Sequence, residues 1–189
     1  MPDPRRNAVE ARDLGPATPL ADHRADRSGG ALVVVAATEA DWQEYRDVRL
    51  RALADSPAAF GSNLQRERTF DDRVWRERAG SGRTLLARLR GAPVGLVTTI
   101  EEEGRPDERQ IVSMWVDPAV RRSGVGRTLV LAALRAVHAQ GVRRATLFVA
   151  DGNEAAARFY ERLGFTSTGE RQPLPSDPGR GEERYAIDV

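Results

Sequence analysis

Trp115-Val-Asp-Pro-Ala-Val-Arg-Arg-Ser-Gly-Val-Gly126 runs directly into the apolar segment Arg127-Thr-Leu-Val-Leu-Ala-Ala-Leu134. This juncture restricts the fold more than any other stretch. It reads as a strand that stops at Asp117-Pro118, a basic glycine-bearing loop, and the first turn of a helix. A helix N-terminus carries unpaired N–H groups and the positive end of the macrodipole, so it can hold an anion. Gly124 and Gly126 remove side chains that would keep a phosphate off the backbone, and Arg121 and Arg122 add charge beside it. The segment is suited to a pyrophosphate.

Missing residue types remove the rival readings of that turn. The chain has no cysteine, which excludes disulfides, thiolate metal sites and a cysteine nucleophile, and no metal is expected. All 29 basic residues are arginine, so a Walker-type phosphate loop and Schiff-base chemistry both lack their lysine. A dinucleotide fingerprint needs a third glycine where Leu129 stands. The two histidines, His23 and His138, come with no G-x-S-x-G elbow for a serine triad.

With 189 residues, 40% of them hydrophobic, the chain suits one globular domain. Its formal net charge of +1 gives no case for nucleic acid as a partner. No apolar run approaches the roughly 20 residues that span a bilayer, and no secretory signal core is evident. The expectation is a cytoplasmic protein with no membrane partner.

Residues 1–30 are polar and aperiodic, with five acidic residues offsetting five arginines, and read as a disordered tail. The domain is expected over 31–189. Ala31–Ala37 reads as a strand, and Thr38 with Asp41 caps a helix over Trp42–Ala54 that ends at Ser56-Pro57. A helical segment from Asn63 to Ala79 is broken near Phe70-Asp71-Asp72. Strands follow at Thr84–Arg90 and Pro93–Ile100, joined at Gly91-Ala92, and Glu101–Glu108 reads as a polar loop. Gln110–Val116 is a strand, Val125–Gln140 a helix closed by Gly141, and Arg144–Ala150 a strand. A helix over Asn153–Leu163, a long loop over Gln172–Gly181 of the kind that closes over a site, and a strand over Arg184–Val189 complete an α/β domain with a mixed sheet.

Within Asn153-Glu-Ala-Ala-Ala-Arg-Phe-Tyr-Glu-Arg-Leu-Gly-Phe165, helical spacing stacks Asn153, Ala157 and Tyr160 on one face. An N-cap and a half-buried aromatic account for either polar residue alone. Together, an amide and a phenol on a face of small residues suggest a ligand. At this point the chain resembles the GCN5-related N-acetyltransferases. Arg121 to Gly126 fits their R/Q-x-x-G-x-G/A signature, and Asn153 to Phe165 fits their N-x-x-A-x-x-x-Y-x-x-x-G-F segment. The resemblance covers roughly residues 31–189. It implies a mixed, mostly antiparallel twisted sheet flanked by helices, with acetyl-CoA as co-substrate.

Carried onto this chain, the resemblance assigns pyrophosphate binding to Arg121, Arg122, Ser123, Gly124, Val125, Gly126 and Arg127. The pantetheine arm would lie along the preceding strand at Met114 and Val116, with the Met114 N–H donating to the thioester oxygen. Asn153 would contact the pantetheine or phosphate region, and Tyr160 would protonate the departing thiolate. Some family members place a basic glutamate where this chain has Gln110. Glu108, two residues earlier, and Glu67, in the segment that usually walls the acceptor site, are the candidate replacements; a solvated surface role competes for both.

The expected activity is transfer of acetyl to a primary amine by direct attack in a ternary complex. No covalent acetyl-enzyme is expected without cysteine or lysine. A small-molecule acceptor is favoured over a protein N-terminus or side chain, because no feature marks a peptide groove. A non-catalytic CoA-binding sensor or interaction module is the alternative from another class, and a homodimer is compatible with either. The acidic run Glu101-Glu102-Glu103 reads as a solvated edge or a lure for a cationic substrate, and Trp42, Trp75 and Trp115 read as core.

Overall fold

Seven strands form one sheet in the order β1-β2-β3-β4-β5-β7-β6 in a computed structural model that describes residues 31–189. The expected tail over 1–30 lies outside the described residues. The strands are β1 (Leu32–Ala36), β2 (Thr84–Leu89), β3 (Ala92–Glu102), β4 (Arg105–Val116), β5 (Arg144–Ala150), β6 (Thr166–Leu174) and β7 (Asp177–Asp188). Every neighbouring pair is antiparallel except β4 with β5. The sheet is thus mixed and mostly antiparallel, as the resemblance implies.

Five helices, α1 (Trp42–Asp55), α2 (Leu64–Glu67), α3 (Asp72–Ala79), α4 (Val125–Ala139) and α5 (Glu154–Glu161), cover its two faces. Alternation along the strands divides the core. Leu86, Leu96 and Trp115 face α1 and α3, where Trp42, Tyr45, Val48, Leu53 and Trp75 are buried. Ala87, Val97 and Ile111 face α4, whose stripe Val125, Leu129, Val130, Ala133 and Val137 recurs at helical spacing. Leu129 is fully buried and contributes about 2 kcal/mol. Gly95 lets α4 lie this close to β3, since a Cβ there would sit 2.7 Å from the Trp115 carbonyl and 3.0 Å from Leu129. All three tryptophans are core residues.

The caps follow the sequence. Thr38 and Asp41 form a capping box, the Thr38 N–H donating to Asp41 at 2.8 Å, but it caps a 3-10 turn over Glu39–Asp41 that leads into α1 rather than α1 itself. Asn63 and Asp71 cap α2 and α3, so the helical segment is interrupted as anticipated. Three boundaries differ. Glu101–Glu108 is mostly strand rather than loop: β3 and β4 continue to a tight turn at Gly104, φ +78°, where Arg105 and Arg109 reach Glu102 and Glu101 across the ladder. Gln172–Gly181 is the end of the β6–β7 hairpin rather than a free loop. The last strand begins at Asp177, seven residues before Arg184.

Candidate active site

Parallel pairing between β4 and β5 lasts only three steps: Glu108 with Arg144, Arg109 with Ala145 and Gln110 with Thr146. Beyond them the strands part. The cause lies in β4, where the β3 register shifts between Leu96 and Thr98 and leaves Ser113 and Met114 without a partner. Ser113 has φ +57°, a left-handed conformation that a side chain rarely adopts, and such a bulge bends and twists its strand. A cleft of about 420 Å³ opens in the fork, with Gln110 to Met114 on one wall and Leu147 to Ala150 on the other. It reaches through the sheet, from Asn153, Ala156 and Tyr160 on the α5 side to Arg49, Phe60 and Ser62 on the α1 side.

At the foot of β4 the chain turns into α4. Gly124 has φ +98° with open space where a Cβ would project, and Arg122 is also left-handed at φ +65°. Among the described residues, the N–H groups of Arg122 to Arg127 meet no hydrogen-bond acceptor. Six orphan donors at the positive end of a 15-residue helix make an anion cradle. The two glycines differ in role. Gly124 leaves the cradle open, whereas a Cβ at Gly126 would meet the ends of the Met114 and Phe159 side chains at 3.4 Å, where α4 faces β4 and α5. The two arginines differ as well. Arg121 is committed to Asp55 and to the Val116 carbonyl, the latter at 3.0 Å, and it fastens the turn to the end of α1. Arg122 and Arg127 are exposed beside the donors, while Val125 buries its side chain in the core.

Tyr160 and Asn153 meet on the cleft as the helical spacing anticipates. Tyr160 is 8% exposed and packs edge-on against Phe159 and Phe165. Burial pushes its phenol well above the ordinary range, so it is protonated at neutral pH and available as a proton donor. Asn153 caps α5, its Oδ1 accepting from the Ala156 N–H at 3.2 Å, and its amide nitrogen is the group left for a ligand. Met114 lines the same cleft at the bulge, and Val116 lies two residues beyond it.

The two glutamates considered as bases serve elsewhere. Glu67 is 1% exposed and grips Arg49 through two hydrogen bonds, 2.7 and 3.0 Å, with Arg78 at 3.4 Å. Burial raises its carboxyl, but the hydrogen bonds and charge of Arg49, with Ser62 and Arg78, together outweigh that and hold it below the usual range. An anion so held is a poor proton acceptor near neutrality. Arg49 in turn donates to Ser113 Oγ at 3.1 Å and lies over Phe60, so the pair braces the bulge. Glu108 is bound by Arg184 at 2.5 Å at the closed end of the fork, and Gln110 lines the cleft in its place. Glu101 and Glu102 are likewise ion-paired, to Arg83 and Arg109 and to Arg105 and Arg184, which blunts the acidic run as a lure.

A buried carboxylate escapes the sequence reading. Glu182, 8% exposed, lines the cleft from β7, opposite Ala150 of β5 and Gln172 of β6. Gln172 Nε2 donates to its Oε1 at 2.7 Å. Desolvation raises its carboxyl above the usual range, against the lowering effect of that hydrogen bond. Its local sequence, Asp177-Pro-Gly-Arg-Gly-Glu182, carries turn residues and no alternation, so only pairing with β5 marks it as strand.

The Acetyltransferase (GNAT) family profile matches residues 39–165. A mycothiol acetyltransferase from Thermobispora bispora is 32% identical over 130 residues, covering 67% of this chain and 43% of that protein. One from Amycolatopsis mediterranei is 34% identical over 125 residues, covering 63% and 40%. The chain spans less than half the length of these relatives. Among solved structures, a GNAT-family acetyltransferase from Streptococcus pneumoniae superposes with a TM-score of 0.69 at 18% identity, over 84% of this chain and 99% of that one. A putative acetyltransferase from Salmonella typhimurium, solved with its cofactor acetyl-CoA, gives 0.66 at 20% identity over 83% and 93%. At such identities these likenesses establish the fold.

Proposed function

The chain belongs to the GNAT family of acetyltransferases, and on that premise we propose that it moves the acetyl group of acetyl-CoA to a primary amine of a small molecule by direct attack, with both substrates bound together. The observation that carries this reading is the juxtaposition of six acceptorless N–H groups with a forked strand edge and a buried phenol. A diphosphate fits the cradle at Gly124, where the space a Cβ would enter is open and glycine leaves it free for a ligand.

Each residue then has a task. The N–H groups of Arg122 to Arg127 hold the pyrophosphate, with exposed Arg122 and Arg127 adding charge. Met114, at the bulge where the β3 register shifts, offers its N–H to the thioester oxygen, where it stabilises the oxyanion formed on attack. Val116 continues that edge, and the Asn153 amide steadies the pantetheine arm. Tyr160, kept neutral by burial, delivers a proton to the thiolate as the C–S bond breaks.

A small acceptor is favoured by how the α1 end of the cleft is closed. The β6–β7 hairpin docks on the segment after α1: Arg180 donates to the Ala58 carbonyl at 3.4 Å, and Pro175 lies within 3.5 Å of where a Cβ on Gly61 would stand. The relatives named as mycothiol acetyltransferases point the same way. Titration calorimetry with CoA and a CoA-release assay over an amine panel test the reading. Binding without any turnover would overturn the enzymatic part, and absence of binding the whole. Tyr160→Phe is expected to lower kcat by about 10²-fold or more with CoA affinity unchanged; unchanged turnover would remove Tyr160 as the acid.

A further inference from the structure

Resting on the acetyltransferase reading, we propose that Glu182 is the general base of this protein: it receives the acceptor as a primary ammonium ion in the cleft and takes its proton. Of the two buried carboxylates among the described residues, Glu67 is held by two arginines, whereas the hydrogen-bond partner of Glu182 is the neutral amide of Gln172. In a chain with 29 arginines this leaves one buried carboxylate lining the cleft with no ion-pair partner among the described residues. A buried anion without a counter-ion is unfavourable, and a cation arriving from solution supplies what the fold omits.

The charges around Glu182 are otherwise engaged. Arg49, from α1, is bound to Glu67. Arg184, two residues along the same face of β7, is bound to Glu102, Glu108 and Glu170. On the Gly181 side, Asp151 and Arg171 are paired with each other. Gln172 occupies Oε1, which fixes the carboxylate and leaves Oε2 for the substrate. Burial raises the carboxyl above the usual range, which makes it a better proton acceptor than a solvated glutamate.

The proton balance is simple. The ammonium gives one proton to Glu182, directly or through one water, and becomes a neutral amine. Its lone pair forms the C–N bond at the thioester carbonyl carbon. As the C–S bond breaks, the thiolate receives a proton from Tyr160, and the second nitrogen proton is released to restore the phenol. The products are the amide and CoA, with one proton left on Glu182 for release to solvent. The substrate class is a primary alkylamine that is cationic at neutral pH.

Glu182→Gln keeps the size and one hydrogen-bonding oxygen, and it is compared with the unaltered protein using acetyl-CoA and primary amines from n-butylamine to spermidine. The expected result is a 10²- to 10⁴-fold loss of kcat/KM at pH 7, recovering as the pH approaches the amine's own pKa, with CoA affinity by calorimetry unchanged. Unchanged CoA affinity also certifies that the variant is folded. Wild-type kcat/KM in the variant at pH 7 would overturn Glu182 as the base and leave the acetyltransferase reading intact. If the unaltered protein acetylates none of these amines, the amine reading beneath the proposal falls with it.

Discussion

Glu67 shows how a buried charge works on the fold rather than on the reaction. Its carboxylate is closed off from water and meets the guanidinium of Arg49 side by side, with Arg78 behind. Removing one member of such a pair strands the other, which typically costs 3–5 kcal/mol. Glu67→Gln is therefore expected to lower stability by about 3 kcal/mol, read from urea unfolding at pH 7. Because the folded-state value of Glu67 is depressed, its stabilisation is present above the ordinary glutamate pKa and fades as the pH falls through the folded value. The difference between variant and parent is expected to shrink in acid. Glu182 has the opposite sign: its raised carboxyl favours the folded state at low pH and loses that advantage as the pH rises. Residue chemistry of this kind was only half legible in the sequence. Tyr160 and Asn153 could be placed together by helical spacing, whereas the partners of Glu67, Glu108 and Glu182 lie 18, 76 and 10 residues away in the chain.

The turn into α4 is local and could be read from its own residues. Gly124 supplies φ +98°, Pro118 and Asp117 end the strand, and the apolar stripe after Val125 commits the helix to the sheet. Gly124→Ala must place a side chain in a left-handed conformation, so it is expected to cost about 1–2 kcal/mol in stability. If the cradle is where the diphosphate sits, the same change weakens CoA binding by calorimetry, while an exposed control such as Gly91→Ala on the β2–β3 turn leaves affinity alone. The β6–β7 hairpin is the contrary case. All of β6 is exposed except Leu174, so no alternation reveals it, and its strand state comes from pairing with β7. The bulge at Ser113 and Met114 was equally silent, since it arises from a register shift against β3 and the pull of Arg49 on Ser113.

Across the whole molecule, β1 to β4 form one antiparallel block and β5 to β7 another, joined by three residue pairs and by Arg184 at the closed end. That seam is the narrowest join between these two plates of the sheet, and one apolar core under α4 spans both. Were the plates to part there, strand backbone on either side of the opening would exchange its amide hydrogens. A ligand lodged between them acts as a rivet. With CoA at 100 times its Kd, linkage adds about 2.7 kcal/mol to the folded state. Hydrogen exchange is expected to slow chiefly in 111–116 and 147–150, with β2 little changed; uniform slowing across the sheet would show that the plates do not move separately. If exchange slows in that pattern, the fork is more than an opening: it makes the rigidity of this protein a reading of how much co-substrate surrounds it.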